Sequence, residues 1–360
     1  MSAPSAPRPD ELDSPQLLLD LDVLDANLHR MSEACSRRGV DLRVHFKSLK
    51  TGSLAQYLQA NGVKRFLCAK LNEAEILADA GVADIFLANE IIGPHKLARL
   101  AALARRAQVR VCVDDADNVK EMAQAARRAD VTLGVLVEVN VGMNRCGVEP
   151  GEPALALARQ IQSEPGLRFV GLQGYDGHLQ MLLDPAERKQ KCLAGLERLI
   201  ATRKQIEQAG IPVEVVTGAG TGTWEFASSY PGVTEIQPGS FLLMDCAYHA
   251  VRPEFGCALT ILATVISRGP GRYVLDAGSK AISKDFGTPA IKDHPGERVL
   301  KLAEEHTLVE TSDGPPRVGD KREVVPAHCC ATMNLHRQVV AVRKGRVEAL
   351  WPIEASGRYD

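Results

Sequence analysis

The chain is poor in aromatic residues, has no excess of either charge and contains no long apolar run. Phe, Trp and Tyr make up 4% of its 360 residues, too few for a surface on which nucleobases stack. Its 43 basic residues are matched by 45 acidic ones, so no overall field draws it to nucleic acid or to an anionic membrane. No apolar run approaches the ~20 residues needed to span a bilayer. The start, residues 1–11, is rich in Ser, Pro and Ala and lacks the apolar core of a secretory signal, so it reads as a disordered tail. Nine cysteines, an odd number scattered through apolar segments, argue against a disulfide framework and for reduced thiols in the cytoplasm. What is present is ordinary for a globular protein: 45% hydrophobic and 24% charged residues.

Apolar runs suited to buried parallel strands recur at Leu42–Phe46, Arg65–Ala69, Ile85–Ala88, Val109–Val113, Leu133–Val139, Phe169–Gln173, Val213–Thr217 and Thr234–Gln237. Helical stretches such as Glu73–Ala80, His95–Arg106 and Pro185–Ala209 separate them, and Asp22 is placed to cap an earlier helix running to about Arg38. This alternation predicts an α/β fold, a (β/α)8 TIM-type barrel, over residues 22–245. A doubly wound open sheet is the rival, but no G-x-G-x-x-G follows the first strand. Beyond residue 245 the pattern changes to β-branched strands between Gly, Pro and Asp turns, with Lys344-Gly345 as a hairpin turn. This predicts a C-terminal antiparallel β domain over 246–360, joined by an N-terminal strand within 12–21.

Arg43-Val-His-Phe-Lys-Ser-Leu-Lys50 ends the first expected barrel strand. Barrel active sites form at that face. Lys47 lies two residues after His45 and three before Lys50, and neighbouring cations lower a lysine's pKa enough to make it a nucleophile. Such a lysine can form a Schiff base with an aldehyde cofactor; the competing reading is a solvated cationic strand end. Thr217-Gly-Ala-Gly-Thr-Gly-Thr223 follows the seventh strand. Backbone N–H groups around Gly218, Gly220 and Gly222, with the hydroxyls of Thr217, Thr221 and Thr223, suit a phosphate dianion. Gly239 and Ser240 after the eighth strand add to it, where barrels commonly bind phosphate.

Arg145 sits on the loop after the fifth strand. Because arginine keeps its proton, it would leave a cofactor ring nitrogen unprotonated; a surface ion pair is the alternative. Tyr175 and His178 follow the sixth strand. Either suits covering a planar cofactor, and His178 alternatively suits proton transfer near neutral pH. Finally, Pro326-Ala-His-Cys-Cys-Ala-Thr-Met-Asn-Leu-His336 reads as extended, so that His328 and Cys330 share one side. Imidazole and thiolate together suit zinc best, with manganese also in range.

In order along Ser14–Gly357, these motifs resemble the D-threonine aldolase and D-serine dehydratase family of fold-type III, alanine racemase-like pyridoxal-phosphate enzymes. The resemblance rests on Val-His-Phe-Lys-Ser-Leu-Lys, Asn-Arg-Cys-Gly-Val, Thr-Gly-Ala-Gly-Thr-Gly-Thr-Trp-Glu-Phe, Pro-Gly-Ser-Phe-Leu-Leu-Met-Asp and Pro-Ala-His-Cys-Cys-Ala-Thr-Met-Asn-Leu-His. It implies that Lys47 carries pyridoxal 5'-phosphate (PLP), that Arg145 meets the pyridine nitrogen and that loop 217–223 with Gly239 and Ser240 holds the phosphate. It also implies a divalent metal on His328 and Cys330, Zn2+ or Mn2+ with Mg2+ as a further candidate, and a homodimer. Two features depart from the aldolase pattern. Aldolases of the family carry His-x-Asp at the metal pair and dehydratases His-x-Cys, as here. Where aldolases read Tyr-His-Gly, this chain reads Tyr175-Asp176-Gly177, with His178 displaced by two.

The implied activity is a PLP- and metal-dependent lyase acting on small D-configured 3-hydroxy amino acids, with no nucleic-acid or membrane partner. Retro-aldol cleavage to glycine and an aldehyde comes first. Dehydration of D-serine or D-threo-3-hydroxyaspartate to a 2-oxo acid and ammonia is a close second. A racemase, which has no use for the metal pair, and a non-catalytic PLP carrier, normally a barrel alone, are weaker alternatives.

Overall fold

The computed structural model describes residues 6–312 and 314–360, so residues 1–5 of the expected tail lie outside the described residues. The tail's later part is ordered into a short 3-10 turn at Pro9–Glu11, where the Arg8 N–H donates to Glu11 Oε2 at 2.9 Å. Strand β1 (Gln16–Asp20) runs straight into the helix Leu21–Arg38. Asp20, not Asp22, starts that helix: its Oδ1 accepts the N–H groups of Asp22 and Val23 at 2.9 and 3.1 Å, satisfying donors that a helix end leaves open. Asp22 lies within the first turn and accepts from the Lys344 N–H instead. Leu21, Leu24, Leu28 and Met31 form the buried face of the helix.

The eight expected strands form a closed parallel barrel of β2 (Asp41–His45), β3 (Arg65–Cys68), β4 (Asp84–Glu90), β5 (Gln108–Val113), β6 (Leu133–Glu138), β7 (Leu167–Gly174), β8 (Val215–Gly218) and β9 (Glu235–Ile236). β9 returns to pair with β2. The runs are continuous rather than alternating because such strands are covered on both faces; every residue of β6 is buried. One apolar cluster takes Leu67, Phe86, Cys112, Leu136 and Val170 from five successive strands. Toward the amino ends of the strands, the fully buried Arg43 pairs with Asp84 at 2.9 Å and Glu235 at 2.8 Å. A buried cation is tolerated only with such partners.

The second sheet contains β1 with β10 (Leu259–Gly269), β11 (Arg272–Leu275), β12 (Ala290–Ile291), β13 (Glu297–Leu302), β14 (Thr307–Thr311), β15 (Lys321–Val325), β16 (Gln338–Arg343) and β17 (Arg346–Pro352). Its main path runs β13-β14-β11-β10-β1-β16-β17, with β15 paired to β10 and β12. β1 lies antiparallel to β10 and parallel to β16. The β16–β17 hairpin turns on Lys344 and Gly345, both with positive φ, as a two-residue turn matching the strand twist requires.

The chain folds as two compact units. One holds the described residues up to Met31, with 48–51 and 240–357, and the other holds 32–47, 52–239 and 358–360. Among the described residues no helix is long and apolar enough to cross a membrane. One local expectation is overturned: 326–336 is not extended throughout. Cys329–Met333 is a short helix with His328 as its extended N-cap residue. Asp245 accounts for the turn, because its buried carboxylate accepts the Cys329 N–H at 2.7 Å.

Candidate active site

Residues at the carboxyl ends of the barrel strands enclose a cavity of about 200 Å³, lined among others by His45, Lys47, Arg145, Gln173, Tyr175 and Gln237. The chain leaves β2 through a single 3-10 turn, Phe46–Ser48, which carries Lys47 into this cavity. Lys47 Nζ lies 5.5 Å from the centre of the Tyr175 ring, and the Arg145 guanidinium lies 5.5 Å from the same centre. Both are within reach of the ring's negative face. His45 is buried, and its Nδ1 accepts the Lys47 N–H at 3.4 Å. An amine, a cation and an aromatic face around one small cavity match the aldehyde, ring nitrogen and flat ring of PLP. The residues present fit that group.

Below Arg145 lies Glu138, the last residue of β6, with its side chain only 5% exposed and 3.9 Å from the Arg145 guanidinium. Burial, reinforced by the negative charge of Glu90, pushes the Glu138 carboxyl up to about 8. The Gln173 amide donates to its Oε2 at 3.0 Å. Beside it, ligand atoms of Glu90, Asp114 and Cys146 lie within 4.8 Å of one another. Asp114 is engaged structurally there, accepting the Gly147 N–H of the loop that carries Arg145 at 2.9 Å.

The 217–223 loop is buried and held from beneath by Gln180. Gln180 accepts the Gly222 N–H at 2.7 Å and donates to Thr223 Oγ1 and Asp176 Oδ1, both at 2.9 Å. The glycines let Gln180 pack this closely: a Cβ at Gly220 would lie 2.6 Å from its side-chain oxygen, and one at Gly222 would lie 2.4 Å from its backbone oxygen. A Cβ at Gly218 would meet the Gly174 oxygen at 2.1 Å. The Gly220 N–H donates to Thr223 Oγ1 at 3.3 Å, and Thr223 donates to Asp176 at 3.1 Å. Thr217 donates to Glu235 at 3.0 Å. Two threonine hydroxyls and two glycine N–H groups expected to face a phosphate are therefore engaged within the protein; Thr221 is buried in the same loop.

Asp176 is buried in this lattice, which raises its carboxyl above the usual range by desolvation. His178 is exposed on the 3-10 turn Gly177–Leu179, where a Cβ on Gly142 would lie 3.6 Å from its Nε2. The sequence reading missed Glu138, Gln173, Gln180 and Gln237. Polar residues inside otherwise apolar strands were the available signal for the first two.

The thiol–imidazole pair belongs to the other unit, together with Ser48 and Ser240. Cys330 Sγ lies 3.0 Å from Ser48 Oγ and 3.4 Å from Ser240 Oγ. Gly239 precedes Ser240 as the last residue before the unit boundary. Cys329 is fully buried, its N–H on Asp245. Burial opposes charge on His328, but its hydrogen bond to Cys330 and the Asp285 carboxylate outweigh this and bring it up to about 9. His328 Nδ1 is 2.7 Å from Asp285 Oδ2. A side-chain thiol next to an imidazole whose Nδ1 is held by a carboxylate is the donor chemistry of a zinc-type site. These residues fit a divalent metal.

Comparison with known proteins agrees with this arrangement. Residues 19–246 match the family described as "Alanine racemase, N-terminal domain", and 258–342 match one described as "Putative serine dehydratase domain". A D-threonine aldolase of Arthrobacter sp is 39% identical over 353 residues, covering 96% of this chain and 93% of the relative. A 3-hydroxy-D-aspartate aldolase of Paracoccus denitrificans (strain Pd 1222) is 35% identical, covering 97% and 93%. Among solved structures, D-threonine aldolase from Filomicrobium marinum superposes with a TM-score of 0.95 at 38% identity, covering 99% of both chains. D-threo-3-hydroxyaspartate dehydratase from Delftia sp. HT23 gives 0.85 at 27% identity, covering 96% of this chain and 98% of that one. An alanine racemase-type barrel implies PLP as cofactor. The chain belongs to the D-threonine aldolase and D-serine dehydratase family, a branch of lyases built on the alanine racemase-like fold.

Proposed function

We propose that the protein is a PLP- and divalent-metal-dependent lyase that cleaves D-3-hydroxy amino acids to glycine and an aldehyde. The observation that carries this reading is the convergence of Lys47, Arg145 and Tyr175 on one cavity at the barrel mouth, in a chain 39% identical to a D-threonine aldolase. When bound, PLP supplies an electron sink for the bond being broken, and the metal a Lewis acid for the substrate's β-hydroxyl. Lys47 would hold the cofactor and exchange a proton at its Nζ. Arg145, permanently charged, would face the ring nitrogen and keep it unprotonated, while Tyr175 covers the ring. The loop around Gly218–Thr223 with Gly239 and Ser240 would hold the phosphate. His328 and Cys330 would hold Zn2+ or Mn2+, with Mg2+ a third candidate. Asp176 is spent on Gln180 and Thr223, so His178 is the group proposed to take the hydroxyl proton.

Cys330 supports a second reading. Dehydration to a 2-oxo acid and ammonia would be favoured by a thiolate ligand, and the dehydratase of Delftia sp. HT23 shares the fold at 27% identity. Among the described residues no cysteine is in a disulfide, which supports a reducing cytoplasmic location, and the family resemblance supports a homodimer. Product analysis on D-threonine and D-phenylserine, with added PLP and either Mn2+ or Zn2+, separates the readings. Glycine with acetaldehyde or benzaldehyde establishes the aldolase; a 2-oxo acid with ammonia establishes the dehydratase. Neither product from either substrate refutes both.

A further inference from the structure

Forty-three residues before His328, the loop between β11 and β12 carries Ser283, Asp285 and Phe286 against the imidazole. Three contacts define the arrangement. Asp285 Oδ2 lies 2.7 Å from His328 Nδ1. The other carboxylate oxygen accepts from the Ser283 hydroxyl, and Ser283 is itself tied down by its N–H donating to Thr332 Oγ1 at 3.1 Å. Thr332 belongs to the short helix that follows His328. The Phe286 ring stacks on the imidazole with centres 3.9 Å apart and planes 9° from parallel.

An ionised carboxylate only accepts hydrogen bonds, so Nδ1 carries a proton, and Nε2 is the nitrogen left to give its lone pair to a ligand once the ring loses its second proton. The Phe286 ring blocks one face of the imidazole and restricts its rotation about the Cβ–Cγ bond. The far end of the carboxylate cannot swing away, because Ser283 fixes it to the same helix that presents Cys330. Imidazole plane, tautomer and thiol are thus set by one closed loop of contacts within a single unit.

We propose that Asp285 is a positioning residue for the metal pair, selecting Nε2 of His328 as the ligating atom, with Phe286 as the clamp on the ring. This rests on the assignment of His328 and Cys330 as metal ligands under the proposed function. It adds what that assignment leaves open: which nitrogen binds, and what holds it. Groups that orient a metal-ligating histidine in this way typically govern affinity by 10–100-fold. A histidine free to present either nitrogen spends part of its time in the wrong tautomer, and the apparent affinity falls accordingly.

The test is Mn2+ binding to PLP-loaded, metal-stripped protein, with free Mn2+ counted by electron paramagnetic resonance, so that no turnover is needed. D285A is expected to raise the Kd roughly 10–100-fold. D285N, whose amide oxygen still accepts from Nδ1–H, should recover part of that loss. F286A should weaken binding by a smaller factor. The side chain of Asp285 is 48% exposed, so all variants should melt close to the parent, which a thermal scan checks. If D285A binds Mn2+ within twofold of the parent while H328A does not bind, the positioning role is wrong and the metal pair stands. If H328A also binds like the parent, the metal pair falls, and the proposal with it.

Discussion

The Gln173 side chain bridges two partners with its amide orientation fixed: its Nε2 donates to Glu138 at 3.0 Å, and its Oε1 accepts from Gln237 at 3.0 Å. Gln237 has no choice of orientation either, because its Nε2 also donates to Thr217, which donates onward to Glu235. Flipping Gln173 would set its donor against that of Gln237, and flipping Gln237 would set its acceptor against that of Gln173. Glu138 Oε2 is therefore always an acceptor, and any proton on Glu138 sits on Oε1, the oxygen facing Arg145. The buried relay continues from Glu235 to Arg43 and Asp84, so the floor of the cavity is anchored to the far end of the barrel.

Glu138 should make stability depend on pH in a defined direction. Its carboxyl holds a proton up to about 8 in the folded protein against an ordinary value of 4.5. Between those values the folded state binds more protons than the unfolded state, so stability falls as pH rises. The slope is at most about 1.4 kcal/mol per pH unit. E138Q keeps the shape and removes the titration. Urea unfolding at pH 6, 7, 8 and 9 should show the parent losing stability along the series and E138Q losing less; parallel curves would show that Glu138 does not titrate there.

The Gly-rich loop should depend on Gln180 more than on its own hydroxyls. Q180A removes the acceptor of the Gly222 N–H and a donor to Asp176, leaving buried polar groups unpaired at about 1–3 kcal/mol. G222A would press a methyl group against the Gln180 backbone oxygen, at a similar cost through overpacking. Both variants should bind PLP more weakly, read by absorbance titration of cofactor-free protein, and both should melt earlier. T221V removes a single hydroxyl, whereas Gln180 holds Gly222, Thr223 and Asp176 together, so it should leave the melt closer to that of the parent.

The barrel was legible because each strand is buried on both faces, so that Leu133–Val139 or Val109–Val113 shows as an unbroken apolar run. The hairpin of β13 and β14 was not, because Glu297–Leu302 carries charged residues on its exposed side and a register shift between Val299 and Lys301 breaks its alternation. In the turn of the same hairpin, Glu305 pairs with Lys280. Asp22 reads as a helix cap because Asp20 looks like the end of a strand, whereas Asp20 is both. Lys47, Arg145 and Tyr175 could be placed because each follows a barrel strand. Asp285 and Gln180 could not, since a contact between two irregular segments leaves no period in the sequence.

Lys47, proposed both to hold the cofactor and to exchange a proton, has two roles to lose. K47A should fail to acquire the visible absorbance of bound PLP and should lose activity by about 10²–10⁴-fold, the range expected for removing a proton-transfer group. K50A is the control, since Lys50 Nζ donates to the Ala355 carbonyl at 3.4 Å. K50A should retain the cofactor band. A K47A protein with the parent's spectrum would move the cofactor away from this lysine.

Cys330 should decide both the metal and the product. A thiolate favours zinc, whereas a carboxylate favours manganese and magnesium. C330D also takes sulfur away from the hydroxyls of Ser48 and Ser240, which lie 3.0 and 3.4 Å from it, and offers them a stronger acceptor in return. In the metal-stripped parent, activity should be absent and should return with added Zn2+ or Mn2+. In C330D the preference should move toward Mn2+ by roughly tenfold, as the softer ligand is lost. If the ligand also steers the reaction, the share of substrate leaving as glycine and aldehyde should rise relative to 2-oxo acid and ammonia, measured on one D-3-hydroxy amino acid under saturating metal. A changed metal preference with an unchanged product ratio would assign Cys330 to metal choice alone and place the choice of broken bond with the groups at the barrel mouth.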